Sequence, residues 1–240
     1  MKGSLKGWIL VSRPPLTLLG FLANLAILHG LSGMRWNDVW MWLFVIGITI
    51  GNMGFNMLNE WADYEVDIIK KPEKPLPSKL IGRKSVFEVA LISIILGLIL
   101  CSYSIVVNGN LLAEVLILLI ALNSFIYNLR GKKIGVWGNI SLSLAYGLTY
   151  ALCLQFCYLL YKLYILPLWF AIWTFTFNLE VQYQDIPADE EAGLWTAALA
   201  LKHKCGYVST TLASICMLLA FIGNKLPIIT WAMQILSSLL

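Results

Sequence analysis

Two runs of polar residues recur every three or four positions and carry side chains that bind cations. The first run comprises Asn52, Asn56, Asn59, Asp63 and Asp67. On a helix this spacing places all five side chains within roughly 80° of one another. Such a face would be costly in lipid, so we expect it to point into a helix bundle or a wet cavity.

The second run lies in the segment "FNLEVQYQDIPADEEAG" and comprises Asn178, Gln182, Asp185 and Asp189. Its residues repeat the spacing of the first four members of the first run. The shared spacing is compatible with an internal repeat of the kind seen in membrane proteins.

The residue types in both runs indicate a divalent cation. Amides alone are typical of hydrogen-bonded seams between membrane helices, and that alternative stays open for the Asn and Gln residues. Paired aspartates without counterions repel, and one of them would be protonated. Mg²⁺ removes this repulsion, and it takes substrate phosphates as its remaining ligands. The aspartates therefore favour Mg²⁺ together with a bound phosphate or diphosphate.

A proline-rich segment, "KKPEKPLPSK", follows the first run. Its prolines predict that the helix ends after about Lys71. We expect the segment to form an extended, stiff loop that carries cations over the metal site. A solvated loop whose lysines only set membrane topology is the alternative.

Long apolar runs occupy most of the chain, and the helices that they form must position these residues. The chain is 59% hydrophobic and 12% charged, whereas soluble domains carry about 25% charged residues. We predict an all-α polytopic membrane helical bundle, a single domain over residues 1–240, with no room for a soluble domain. Its eight predicted spans are 15–33, 38–58, 85–107, 111–129, 134–157, 163–181, 206–223 and 226–240.

The distribution of basic residues predicts the orientation. Of the 17 Lys and Arg residues, all except Arg35, Lys162 and Lys225 precede the first span or follow the second, fourth and sixth spans. By the positive-inside rule, the amino terminus and these loops are cytoplasmic. We therefore expect an integral protein of the cell membrane whose two acidic runs both emerge on the cytoplasmic side.

The motifs resemble those of the UbiA-type intramembrane prenyltransferase superfamily. The segment "NEWADYEVD" is similar to its N-x-x-x-D-x-x-x-D motif, and "KPEKPLPS" is similar to its R-P-x-R-P-x-P-S sequence. The segment "DIPADEEAG" resembles its second motif, D-x-x-x-D-x-x-x-G. The segment "SRPP" resembles the start of the family's first helix. The segment "YNLRGKKIGVWGN" resembles the loop that follows the family's fourth helix.

Several features depart from the family pattern, including the segment "TAALALKHKCG", which stands where the family has T-L-P after the second motif. The family usually has nine helices, so the last one is missing from the eight predicted here. Glu60 stands where an Asp is common. Pro187 lies inside the second motif, and we expect it to distort the helix there.

The resemblance implies Mg²⁺-dependent transfer of an isoprenyl group from an isoprenyl diphosphate to a lipophilic acceptor inside the membrane. It implies that the aromatic face of Tyr127 stabilises the allylic cation that forms when the diphosphate leaves. The implied metal ligands are Asn59, Asp63, Asp67, Asp185 and Asp189. The implied diphosphate-binding cations are Arg13, Lys71, Lys74, Arg130 and Lys132. Besides these substrates, we expect membrane lipid and no nucleic acid as partners.

Several functions fit this pattern. The first motif with its proline-rich tail is most similar to the geranylgeranylglyceryl phosphate geranylgeranyltransferases of archaeal lipid synthesis. An aromatic quinone precursor or a chlorophyllide is an alternative acceptor, and a terpene cyclase on the same scaffold needs no acceptor. A transporter or lipid-binding protein is the alternative of another class, although transporters usually place their site near the membrane midplane.

Overall fold

The computed structural model describes residues 4–130, 134–191 and 193–222. Their regular structure is helical, with one isolated bridge between Gly135 and Thr196. Two short helical stretches of other types cover Ala26–Leu31 (π) and Lys202–Lys204 (3-10). The α-helices are α1 (Leu5–Val11), α2 (Pro14–Leu25), α3 (Val39–Ala62), α4 (Tyr64–Lys70), α5 (Arg83–Val107), α6 (Leu111–Arg130), α7 (Val136–Phe156), α8 (Leu160–Leu163), α9 (Ile165–Gln184), α10 (Ile186–Glu191), α11 (Ala197–Leu201) and α12 (Cys205–Ile222).

The prediction of an all-α membrane bundle is confirmed. Described helices occupy most of each of the first seven predicted spans. Four of these helical segments are long and apolar enough to cross a membrane, namely Pro14–Leu31, Val39–Ala62, Arg83–Val107 and Leu111–Arg130. The eighth predicted span, 226–240, lies outside the described residues, so the number of spans stays a prediction.

The close packing of α3 against α5 depends on glycines. A Cβ atom built on Gly97 would lie 2.6 Å from the Gly47 carbonyl oxygen and 2.6 Å from the Gly51 backbone nitrogen. Small residues at such a crossing let two membrane helices pack backbone against backbone. This contact holds α3, which carries the first polar run, at a fixed position in the bundle.

A break in the helix coincides with the first aspartate of each polar run. Asp63 ends α3, and α4 begins at the next residue. Asp185 likewise ends α9, and α10 begins at Ile186 with Pro187 in its first turn. The distortion predicted at Pro187 is thus present, because proline fits only the first turn of a new helix. The break at Asp63 has no proline and was not predicted.

The proline-rich segment after α4 forms consecutive turns, so the prediction of an extended loop is wrong. The backbone N–H of Lys74 donates to the Lys71 carbonyl at 3.0 Å, and that of Ser78 donates to the Lys74 carbonyl at 2.9 Å. Leu76 and Ile81 are buried in a cluster with α3 and α5. Burial of these apolar side chains pulls the chain back onto the bundle, which an extended loop would not allow.

Candidate functional site

Both polar runs line one cavity of about 580 Å³. Asn52, Asn56, Asn59, Asp63 and Asp67 line it from α3 and α4, and Asn178, Gln182, Asp185 and Asp189 line it from α9 and α10. The structure therefore brings together two acidic segments that are separated by about half of the chain.

The same cavity becomes apolar towards the middle of the bundle. Along α3, its lining extends from Asp63 to Gly47, which is about 24 Å at the helical rise of 1.5 Å per residue. The apolar part is lined by Leu16, Ile48, Phe55, Ile94, Leu98, Ile117, Ile120, Leu142 and Leu152. A polar end joined to a long apolar end suits an amphiphile with a charged head and a hydrocarbon tail.

Arg13 lines the polar end of the cavity and is held by the end of α3. Its Nε atom donates to Glu60 Oε1 at 2.8 Å, and its Nη2 atom donates to Asn59 Oδ1 at 3.0 Å. The backbone of Arg13 is left-handed, with a φ of 49°. Such a conformation costs a non-glycine residue on the order of 1–3 kcal/mol, and the contacts with Glu60 and Asn59 offset this cost.

Lys74 from the proline-rich loop closes an ionic network at the same end. Its ammonium group lies 2.7 Å from Asp67 Oδ2 and 3.4 Å from Glu60 Oε2. Burial raises the pKa of Asp67 above its ordinary value, and the nearby Asp63 and Glu60 carboxylates act in the same direction. Lys74 opposes this rise by its hydrogen bond and its charge. A bound cation would stabilise the ionised form in the same way as Lys74 does.

Three further side chains predicted for the site, Lys71, Arg130 and Tyr127, also line the cavity. Within the described ranges, neither Lys71 nor Arg130 forms an ion pair. These two cations are therefore available to an anionic ligand, whereas Arg13 and Lys74 are already paired with acids. Lys132, the remaining predicted diphosphate contact, lies outside the described residues.

Amide side chains link each polar run to a neighbouring helix. Asn59 Nδ2 donates to Asn128 Oδ1 on α6 at 3.0 Å, and Asn178 donates to Asn139 on α7. Asn139 in turn donates to the Phe175 carbonyl at 3.1 Å. The interhelical seam that the sequence left open as an alternative thus exists, and within the described residues Asn59 and Asn178 take part in it.

The side chains around the cavity fit Mg²⁺. They offer carboxylate and amide oxygens, the ligands of hard cations, and an ion that binds one or two carboxylates can complete its shell with water and phosphate. In the part of the chain that the structure describes, no three His, Cys, Asp or Glu side chains gather into a preformed metal cluster. Water and phosphate oxygens would therefore complete the coordination.

Glu60 was not among the residues predicted for the site. This side chain is only 5% exposed, yet it binds Arg13 and Lys74 and so joins α2, α3 and the proline-rich loop. The available indication was a charged residue at the end of a predicted span, because ionisable groups at such depth are usually functional. Tyr146 on α7 also lines the cavity and was not predicted.

Comparison with known proteins agrees with this architecture. The model of the UbiA prenyltransferase family matches residues 13–240. The digeranylgeranylglyceryl phosphate synthase of Pyrococcus furiosus is 28% identical over 142 residues, which is 58% of this chain and 48% of that protein. The corresponding synthase of Methanothrix thermoacetophila is 33% identical over 56% of this chain and 46% of that protein. The chain thus spans about half the length of the curated relatives it matches.

Two solved structures share the fold. One, from work on digeranylgeranylglyceryl phosphate synthase in membranes, has a TM-score of 0.72 and 22% identity, covering 93% of this chain and 78% of that one. The other is a UbiA homologue from Archaeoglobus fulgidus bound to DMAPP and Mg²⁺, with a TM-score of 0.66 and 14% identity, covering 88% of this chain and 75% of that one. The family match extends over nearly the whole sequence, so the chain belongs to the UbiA prenyltransferase family.

Proposed function

We propose that this integral membrane protein transfers an isoprenyl group from an isoprenyl diphosphate to a lipophilic acceptor, and that the acceptor is geranylgeranylglyceryl phosphate. The main support for the proposal is that one cavity has both acidic runs at one end and an apolar lining at the other. The names of the relatives support the choice of geranylgeranyl donor and glyceryl phosphate acceptor.

The polar end would bind the diphosphate of the donor. Asp63, Asp67, Asp185, Asp189 and Asn59 would hold Mg²⁺, which when bound neutralises the negative charge that develops on the leaving diphosphate. Lys71 and Arg130, which form no ion pair among the residues that the structure describes, would contact phosphate oxygens directly.

The apolar end would hold the prenyl chain and exclude water from the reacting carbon. Loss of the diphosphate leaves an allylic cation, and the aromatic face of Tyr127 would stabilise it. Tyr127 lines the cavity next to Asn128, which fixes the Asn59 amide. Exclusion of water matters because water would otherwise capture the cation as an alcohol.

The test is a product analysis with the purified chain in lipid nanodiscs. Mg²⁺ and geranylgeranyl diphosphate are supplied with geranylgeranylglyceryl phosphate, an aromatic quinone precursor or a chlorophyllide, and products are read by mass spectrometry. We expect pyrophosphate release and a diprenyl glyceryl phosphate with the first acceptor. Pyrophosphate release with a cyclised hydrocarbon and no transfer would indicate a cyclase, and the absence of any release would reject the proposal.

The basic loops support a cytoplasmic position for the polar end of the cavity. The loop that follows α4 contains the exposed residue Lys79, which gives a position for a label. We expect a membrane-impermeant maleimide to react with Lys79→Cys in inside-out vesicles and not in right-side-out vesicles. The reverse labelling pattern would contradict this orientation.

A further inference from the structure

A second cavity is formed where the proline-rich segment meets the start of α5. Its volume is about 320 Å³, and its lining includes Tyr64, Leu76, Lys79, Leu80, Ile81 and Arg83. None of these residues lines the cavity that contains the two polar runs. The second cavity is therefore separate from the site of the proposed prenyl transfer, and that reaction leaves its residues without a role.

Arg83 is one of two cations that line the second cavity, and aromatic rings hold it in place. Its Cζ atom lies 4.5 Å from the centre of the Tyr64 ring and 5.3 Å from the centre of the Trp61 ring. Such stacking orders the guanidinium group before an anion binds. Arg83 also pairs with Glu65, whose side chain is 71% exposed. Exposed pairs of this kind are weak, so Glu65 leaves Arg83 able to bind a more strongly charged anion.

Lys79, the second cation, sits on a strained turn. Its φ of 60° lies in the left-handed region that lysine rarely adopts, and its backbone N–H donates to the Leu76 carbonyl at 3.0 Å. Backbone strain of this kind is concentrated at binding sites. Within the described ranges, Lys79 forms no ion pair. The turn therefore brings to the cavity a cation that no described acid neutralises.

The ends of two membrane helices place the second cavity at the depth of the lipid head groups. The apolar segment Val39–Ala62 ends two residues before Tyr64, and the apolar segment Arg83–Val107 begins with Arg83 itself. Tyrosine and tryptophan are enriched at such ends, where membrane meets water. Long basic side chains at the same depth extend their charge towards the head groups.

Helix α1 connects the second cavity to a surface that faces lipid. The backbone N–H of Ser4, the residue before α1, donates to the Leu80 carbonyl at 2.9 Å. Leu5 and Ile9 of α1 are both exposed. In a membrane protein, exposed apolar side chains next to basic ones are typical of a helix that lies in the interface. Hydrocarbon tails can therefore pack beside the cavity.

We propose that the second cavity binds the phosphate group of an anionic membrane lipid. Arg83 offers a fork of donors that matches two phosphate oxygens, and Lys79 adds a point charge. Basic pockets between membrane helices hold anionic lipid head groups in this way. A free phosphate ion would use the two cations alone, whereas the apolar surface beside them favours an anion that carries hydrocarbon tails.

The test is native mass spectrometry of the full chain in detergent, with either phosphatidylglycerol or phosphatidylcholine of the same acyl chains added. We expect the wild-type chain to bind the anionic lipid about tenfold more tightly than the zwitterionic one. Arg83→Gln and Lys79→Asn should each weaken phosphatidylglycerol binding about fivefold, the effect of losing one cation at the interface. Asparagine tolerates the left-handed backbone, so Lys79→Asn decides the test if Arg83→Gln does not fold.

Two lysine variants serve as controls, since each removes the same charge elsewhere. Lys84 follows Arg83 but does not line the second cavity, and Lys71 lines only the first cavity. Both Lys84→Gln and Lys71→Gln should bind phosphatidylglycerol as the wild-type chain does. An equal loss in Lys84→Gln would indicate diffuse attraction to a positive surface, and a loss in Lys71→Gln would place the lipid in the first cavity. Either result would overturn the proposal.

Inorganic phosphate distinguishes a lipid from a free anion. At the same concentration as the lipid, it should not displace phosphatidylglycerol from the wild-type chain. Displacement would identify a free anion as the ligand and overturn the choice of a lipid. Equal binding of the two lipids, or unchanged affinity in both cavity variants, would also overturn the proposal. None of these results bears on the proposed prenyl transfer, which is measured separately as pyrophosphate release.

Discussion

At the scale of single residues, Glu60 determines where two of the cations at the site lie. It is buried, and its Oε1 atom accepts hydrogen bonds from both Arg13 and Lys74. Arg13 and Glu60 are 47 positions apart in the sequence, so no local pattern predicts their pairing. The sequence does predict which polar residues share a helix face, because that depends only on the helical repeat.

We expect Glu60→Gln to lower the free energy of unfolding by about 3 kcal/mol, because removing one partner leaves two charged groups only partly compensated. The measurement is unfolding in mixed detergent and SDS micelles. Glu65→Gln is the control, since Glu65 also pairs with an arginine, Arg83, but is exposed. Equal effects of the two substitutions would contradict the role of Glu60.

Lys71 is expected to act on the ligand and not on the fold, since it lines the cavity and forms no ion pair within the described ranges. Lys71→Gln should raise the KM of the isoprenyl diphosphate about tenfold through the loss of one charge-assisted contact. Steady-state kinetics with Lys84→Gln as the control, a lysine whose side chain is 90% exposed, would check this. An unchanged KM in Lys71→Gln would exclude Lys71 from diphosphate binding.

At the scale of helices, the site depends on where α3 and α9 break. The proline in the second polar run made one break predictable, because proline interrupts a helix at a known position. The break at Asp63 and the folded proline-rich loop depend on contacts with distant residues, including Val11 of α1 and Met57 of α3 in the cluster that buries Leu76. Local sequence patterns cannot specify such contacts.

The glycine contact between α3 and α5 can be tested with one methyl group. Gly97→Ala places a Cβ atom against the backbone of α3, so we expect it to destabilise the protein by about 1–3 kcal/mol, as overpacking does. Gly30→Ala is the control, because among the described residues no atom beyond its chain neighbours and its own helix backbone lies within 4 Å of its Cβ position. Thermal unfolding monitored by tryptophan fluorescence should give a lower Tm for Gly97→Ala alone, and equal Tm values would contradict the packing argument.

At the scale of the whole molecule, the two acidic segments meet although more than a hundred residues separate them. The two segments share the same residue spacing, and each has a helix break at its first aspartate. An asparagine of each run also forms a hydrogen bond with a neighbouring helix, α6 or α7. The two halves of the site are therefore similar. The sequence predicted the all-α bundle, and the residues that it predicted for both segments line the same cavity. It did not predict that, within the described residues, no three acids gather into a preformed metal cluster, because side-chain positions across the cavity depend on the packing of distant helices.

The most direct test of this account measures Mg²⁺-dependent pyrophosphate release from geranylgeranyl diphosphate by Asp63→Asn and Asp185→Asn, with acceptor present. Glu73→Gln and Glu191→Gln are the controls, since both acids are exposed near the same segments. If the two segments form one diphosphate site, either aspartate substitution should abolish release, whereas the controls should keep wild-type activity. Wild-type turnover by either aspartate variant would contradict the account.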